Sequence, residues 1–304
     1  MDANLQKKYQ FIEFLLLFKG VLTRNELVIR FSIGEATASR LIASYIEQYP
    51  NQMVFMGARN GYAISESFTP HYEHSVEDAL QYIAYGKISS QLPIEKYGNE
   101  YLKSLTNLSV VLVSKITRAI VNSEWLKIEY LSTSSGKTVK NIKPHSLFKA
   151  GGSWYFRAFD VPDIENIDSI SSLSHELIQK CYKTFKFSRV LDAVLNVDRN
   201  EIPLVEHEVS SERDDDWNRY RHVQLIPHPK ALHPESQMLD LGITDLGVRE
   251  IVISEALLGF VLIDLRVDCS RNAELNPYEY PLYLNNLREL LNVSSMKIAP
   301  GFSL

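Results

Sequence analysis

The sequence predicts a multidomain α+β protein, and three stretches carry that prediction. Within residues 1–65, two helical segments joined by a three-residue turn precede an Asn60-Gly61 hairpin signal. Between residues 125 and 190, period-two alternation recurs around a Gly151-Gly152 turn. From residue 222 to residue 291, strand-like and helix-like segments alternate, as in an α/β domain. A chain of 304 residues with 45% hydrophobic and 23% charged content suits two or three globular domains.

Some function classes drop out at once. No apolar run is long enough to span a membrane, and the N-terminus lacks the pattern of a signal peptide. The only cysteines, Cys181 and Cys269, are far apart, so no disulfide framework, metal site or cofactor is expected. A cytoplasmic protein with no membrane partner follows as the expectation. Charge is uneven. Residues 1–65 carry 7 Lys and Arg against 5 Asp and Glu, and residues 108–200 carry 13 against 9. Residues 201–304 carry 9 against 17. The two basic modules suit anionic partners; the acidic one suits protein contacts.

In residues 5–18, Leu5, Tyr9, Ile12, Leu15 and Leu16 share a helical face. Thr23 and Glu26 have capping-box spacing, and so do Ser32 and Glu35. The helix after the second box runs to about residue 48, with Ala38, Leu41, Ile42, Tyr45 and Ile46 inside and Thr37, Arg40 and Ser44 outside. Residues 53–56 and 62–65 form a hairpin with Arg59 at its tip. Together these make a winged helix-turn-helix, a reader of double-stranded DNA. Its candidate contacts are Ala36, Thr37, Ser39, Arg40 and Ser44 on the helix and Arg59 and Asn60 on the wing. A plain helical bundle with a β-ribbon is the alternative.

Residues 66–107 are acidic, with Ser75 capping a helix that buries Val76, Ala79, Leu80 and Ile83. His71 and His74 lack a third ligand nearby and read as surface or capping residues. Next, a helix over 110–122 leads into strands at 125–132 and 139–142, the 144–159 hairpin, and a strand at 183–190. Residues 163–181 are Ser-rich and resist assignment. In the hairpin Trp154, Phe156 and Ala158 alternate with Tyr155, Arg157 and Phe159. Buried Arg157 needs an anionic partner: a ligand, Glu129 or a backbone carbonyl.

There is no phosphate-loop lysine and no Gly-x-Ser-x-Gly elbow. His145 and Ser146 are strand neighbours that should face opposite ways, which argues against an activated serine. The chain reads as no enzyme. At the C-terminal end, Asp214, Asp215 and Asp216 read as a solvated loop. Strands follow at 222–226 and 249–254, and a turn at Pro227-His228-Pro229. Helices are expected at 233–241, with Met238, Leu239 and Leu241 apolar; at 255–265, burying Leu257, Leu258 and Val261; and at 282–291.

Trp154-Tyr155-Phe156, coming after Pro144-His145-Ser146-Leu147, resembles the namesake segment of the WYL domain, an Sm-like β-barrel of bacterial transcription regulators. Ala36-Thr37-Ala38-Ser39-Arg40, Phe68-Thr69-Pro70, Arg157-Ala158-Phe159 and Pro227-His228-Pro229 extend the likeness. It is most similar to the WYL regulators of anti-phage defence operons, the BREX and CBASS regulator type. The resemblance implies a winged helix at 1–65, a helical connector at 66–107, a ligand-sensing WYL barrel at 108–200 and a WCX-like α/β dimerisation domain at 201–304. It implies a homodimeric repressor on an inverted repeat, released by an anionic nucleotide or oligonucleotide. The ligand residues carried over are Tyr130, Ser132, His145, Ser146, Trp154, Arg157 and Arg189, with the two arginines on phosphates. Trp154 also reads as barrel core. Two departures are Phe156 where the name has Leu, and the 163–181 stretch. A nucleic-acid-binding accessory subunit of a larger defence enzyme is the competing reading.

Overall fold

A computed structural model describes residues 2–86, 108–162, 174–195, 197, 209–242 and 247–303. The chain divides into two compact units. The first takes residues 1–148, 154–165 and 183–203, and the second takes 149–153, 166–182 and 204–304.

The first unit opens with α1 (Ala3–Lys19), which Gly20 ends in the left-handed conformation. β1 (Val21–Leu22), α2 (Arg24–Phe31), α3 (Glu35–Gln48), β2 (Met53–Phe55) and β3 (Tyr62–Ile64) follow, the strands ordered β1-β3-β2. The Thr23–Glu26 capping box forms. The box expected at Ser32 does not. Ser32 takes φ 51° and turns its N–H to the Val28 carbonyl region as the C-cap of α2, so Gly34 starts α3 without a side-chain cap. Ala38, Leu41, Ile42 and Tyr45 are buried as expected, whereas Ile46 is exposed. At the end of the wing Gly61 has φ +74°, and a Cβ there would stand 2.3 Å from the Leu22 carbonyl oxygen.

Ser75 caps α4 (Val76–Tyr85), which buries Ala79 and Leu80. α5 (Val110–Asn122) packs on α1, where Asn122 Nδ2 donates to the Lys19 carbonyl at 3.0 Å. The winged helix and the sheet beyond it therefore share a single apolar core, from Tyr9 and Leu15 to Phe156 and Ala193. A fully buried Leu or Phe contributes roughly 1.5–3 kcal/mol by leaving water. Of the connector expected at 66–107, α4 is described, and residues 87–107 lie outside the described residues.

The sheet holds β4 (Leu126–Ser132), β5 (Gly136–Ala150), β6 (Ser153–Asp160), β7 (Tyr182–Lys186) and β8 (Val190–Leu195). Gly151 and Gly152, at φ 54° and 69°, make the two-residue turn between β5 and β6. Three expectations change. The 139–142 strand and the first arm of the hairpin are one strand, β5, which runs straight through Pro144. The alternation of β6 fails after Tyr155, because Phe156 to Asp160 are all buried and both faces are covered. The 183–190 strand is two strands broken by a 3-10 turn at Phe187–Arg189.

The strand order is β7-β6-β5-β4-β8, an open order among the described residues. β7 and β8 stand at opposite edges, yet only those three residues join them. The four Cα steps from Lys186 to Val190 reach at most about 14 Å, while five flat strands would hold their edges about 19 Å apart. The sheet is therefore strongly curled.

The second unit includes α6 (His175–Cys181), capped by Ser174. It also has α7 (Asp215–Asn218), β9 (Tyr220–Pro227), α8 (Pro234–Leu241), β10 (Arg249–Ser254), α9 (Glu255–Asp264), β11 (Val267–Asp268), β12 (Leu282–Leu284) and α10 (Leu287–Leu290). The strands order as β10-β9-β12-β11. α6 takes up part of the stretch left unassigned, and Gln179 Nε2 donates to the Arg213 carbonyl at 2.9 Å. The hairpin tip belongs here too: the Gly151 amide donates to Asp264 at 2.6 Å.

The helix expected at 233–241 forms as α8, and three other expectations shift in this unit. Asp214 is fully buried and caps α7 through the Trp217 amide rather than sitting in a solvated loop. Nothing on α8 is buried, and Leu239 is 84% exposed. The helix expected at 282–291 is a strand followed by one helical turn, because Leu282 and Leu284 pair with β9. In α9, Leu258 and Leu262 are buried, while Leu257 and Val261 are partly buried. Gly259 lets this helix approach Ser295, where a Cβ would meet the carbonyl oxygen at 2.0 Å.

Candidate nucleic-acid interface

The outward face of α3 follows from its buried one. Ala38, Leu41, Ile42 and Tyr45 turn inward, so Ala36, Thr37, Ser39, Arg40 and Ala43 are left exposed. Arg40 Nε donates to the Ala36 carbonyl at 3.3 Å, which lays its guanidinium along the helix. Ser44 departs from this group: it is half-buried, and its hydroxyl bonds Tyr9 of α1. Arg59 and Asn60 are exposed at the wing tip, where the Gly61 amide closes on the Gly57 carbonyl.

Two grooves flank α3. One, about 550 Å³, lies between the start of α2, the helix and the wing; Arg24, Glu35, Ser39 and Arg59 line it. The other, about 300 Å³, lies toward α1; Lys8, Thr37, Arg40 and Ser44 line it. Small residues on the exposed ridge leave room for a nucleic-acid groove floor, and the polar ones flank them.

Glu13, on α1, is fully buried, a role its position in the sequence does not announce. It accepts from the His71 and Tyr72 amides at 2.8–2.9 Å and from His74 Nε2 at 2.9 Å. Burial alone would raise its carboxyl pKa. The hydrogen bonds from His74, His71 and Tyr72 and the electrostatic pull of His74 outweigh that and hold it below the usual value. His74 has a nearly fully buried side chain and acts as a structural donor, whereas His71 is exposed, as expected, and stacks on Tyr49. Among the described residues no group of His, Cys, Asp and Glu is arranged to hold a metal ion.

The predicted ligand residues in the curled sheet are scattered in role. Tyr130 is buried edge-on to Phe185, and its hydroxyl accepts the Lys186 amide at 3.1 Å. Ser132 sits at the β4–β5 turn, bonding Ser134 at 3.0 Å. His145 Nδ1 and Ser146 Oγ lie 2.9 Å apart, so these neighbours do not face opposite ways. The burial pattern of β5 loses its alternation there, which lets both side chains reach one another. Trp154 is buried, and its indole N–H donates to Glu77 Oε2 at 2.8 Å. Arg157 is 6% exposed and reaches Thr184 Oγ1 at 3.4 Å; Glu129, its expected alternative partner, pairs with Lys137. Arg189 is half-buried in the 3-10 turn.

Other residues here escaped the sequence reading. Phe148 and Tyr155 stack at 5.5 Å, and Lys186 Nζ lies 5.7 Å from the Tyr155 ring. Buried Asp160 takes both Lys140 and Lys183, at 2.7 and 2.8 Å. The signal that could have found them is the alternation of aromatic and basic residues at Phe185, Lys186, Phe187 and Arg189.

A winged helix with its second helix turned outward, built on one core with a curled five-stranded sheet, defines a regulator of the winged-helix class. Three family models match the chain in series. They are the BrxR transcriptional regulator winged helix-turn-helix domain over residues 4–85, the WYL domain over 111–195, and the BrxR transcriptional regulator C-terminal dimerization domain over 221–290. The chain belongs to the BrxR-type WYL transcriptional regulators; it is no enzyme.

A protein of Escherichia coli (strain KTE188) named DNA-binding transcriptional repressor CapW is 25% identical over 294 residues, covering 94% of this chain and 90% of that one. One of the same name from Pseudomonas aeruginosa is 22% identical over 302 residues, with the same coverage. Among solved structures, proteasome accessory factor B/C of Arthrobacter aurescens matches at 16% identity. That match covers 93% of this chain but 47% of that chain, with a TM-score of 0.22, too low to establish a shared arrangement.

Proposed function

We propose that this chain is a cytoplasmic DNA-binding repressor of an anti-phage defence operon, bound as a homodimer to an inverted repeat. The observation that carries this reading is the exposed ridge of Ala36, Thr37, Ser39 and Arg40 on α3, beside a wing tip bearing Arg59 and Asn60. A dimer would set two such ridges in successive major grooves. The repressors named above, alike over nearly their whole length, support it.

The curled sheet is, on this reading, an Sm-like barrel whose ligand is an anionic nucleotide or oligonucleotide. The stacked Tyr155 with Lys186 beside it, and half-buried Arg189, support that chemistry. Arg157, being buried, would form the pocket wall. A ligand releases DNA only if it binds the free and DNA-bound forms with different affinity.

Footprinting on the region upstream of the chain's own gene tests the repressor. Two protected half-sites related by dyad symmetry are expected; uniform protection without symmetry overturns it. Short single-stranded oligonucleotides added to that complex test the sensor. Wild type should release DNA and Arg189→Ala should not; equal behaviour of the two excludes the pocket.

A further inference from the structure

We propose that Lys8 and Arg24 are phosphate contacts on opposite sides of α3, which clamp it between the two backbones of a DNA major groove. This rests on the DNA-binding reading and adds what fixes the helix in register.

Successive helical residues are rotated by roughly 100°. With Ala36 and Ala43 pointing outward, Glu35, Ser39 and Ile42 fall on one flank, and Thr37, Arg40 and Ser44 fall on the other. The two grooves lie along these flanks. Each groove has a wall from another helix, and each wall brings a cation. Arg24, the first residue of α2, lines the groove toward the wing. Lys8 of α1 lines the groove toward Arg40. A helix in a major groove has a phosphate strand on either side, so cations on both flanks match what it would meet.

The state of each cation fits the role. Arg24 is 52% exposed, with Nη2 2.9 Å from Glu35 Oε2 and Nη1 3.5 Å from Ser39 Oγ. That pair holds the guanidinium over the groove. An exposed ion pair is worth only about 0–1 kcal/mol, so a phosphate, which suits the guanidinium fork, can displace the carboxylate. Lys8 Nζ lies 6.0 Å from the Phe31 ring, and among the described residues no carboxylate takes it. Its stem rests in the groove while its charge stays available.

The test uses the full chain and a short duplex of mixed sequence, because backbone contacts act without regard to sequence. Binding is followed by fluorescence anisotropy over a salt series. Arg24→Ala and Lys8→Ala should each weaken binding several-fold and lower the slope of log K against log salt by about one. Arg24→Lys should keep the wild-type slope, and Lys297→Ala, in the second unit, should change neither quantity. A merely structural role would not move the slope. If wild type binds and either alanine variant keeps its slope and affinity, the clamp is wrong. If wild type itself shows no salt-dependent binding, the DNA-binding reading fails with it.

Discussion

The indole N–H of Trp154 on β6 donates to Glu77 on α4 at 2.8 Å. Trp154 lies within the WYL match and Glu77 within the winged-helix match, so this hydrogen bond joins the curled sheet to the winged-helix region. The apolar core is continuous across the same boundary. The two regions are therefore packed against each other through buried side chains.

Removing the acceptor leaves a buried indole donor short of its partner, at a cost of about 1–3 kcal/mol. Glu77→Ala should lower the unfolding midpoint in urea with the slope unchanged. A midpoint equal to wild type would show that the bond does not couple the two modules.

Glu13 ties α1 to residues 71–74 within the winged-helix region, and its pH dependence has a definite sign. Its folded-state pKa lies below the ordinary 4.5, so its stabilisation is present above that value and fades as pH falls through the folded pKa. Glu13→Gln should be less stable than wild type at neutral pH and lose less on acidification. Denaturation midpoints at neutral and acid pH check this; parallel losses in both proteins would contradict it.

Val252 on edge strand β10 is 57% exposed, and it pairs with His222 on a sheet face that also bears Tyr220, 63% exposed. If the homodimer forms through this face, Val252→Asp buries an unpaired charge and should give monomers by sedimentation, with Lys297→Ala remaining dimeric. A dimeric Val252→Asp chain would move the interface elsewhere.

Burial pushes the Cys269 thiol up to about 12, with Asp268 adding to the effect. Cys269 should resist thiol reagents in the native chain and react on unfolding. Rapid labelling of the folded protein at this position would contradict the packing around it.

Much of the fold was legible where its signals are local. Thr23 and Glu26 announce a helix start, Asn60-Gly61 a wing, and Gly151-Gly152 a hairpin. The misses came where tertiary packing overrides local pattern. Ser32 reads as a cap, yet the left-handed end of α2 claims it. Ser44 reads as outward, yet Tyr9 draws it in. Residues 282–291 are helical by composition, but pairing with β9 takes their first turn as a strand. Of the candidate site, the ridge of α3 follows from helical periodicity, whereas the roles of Lys8, Arg24 and Glu13 depend on neighbours distant in sequence.

The central claim is that the outer ridge of α3 reads duplex sequence. Its most direct measurement compares wild type with Arg40→Ala on the footprinted upstream duplex and on a scrambled duplex of equal length. Loss of about 1–3 kcal/mol on the upstream duplex, roughly 5- to 150-fold, with far less change on the scrambled one, is the predicted result. Equal affinity of the two proteins for the upstream duplex would contradict it.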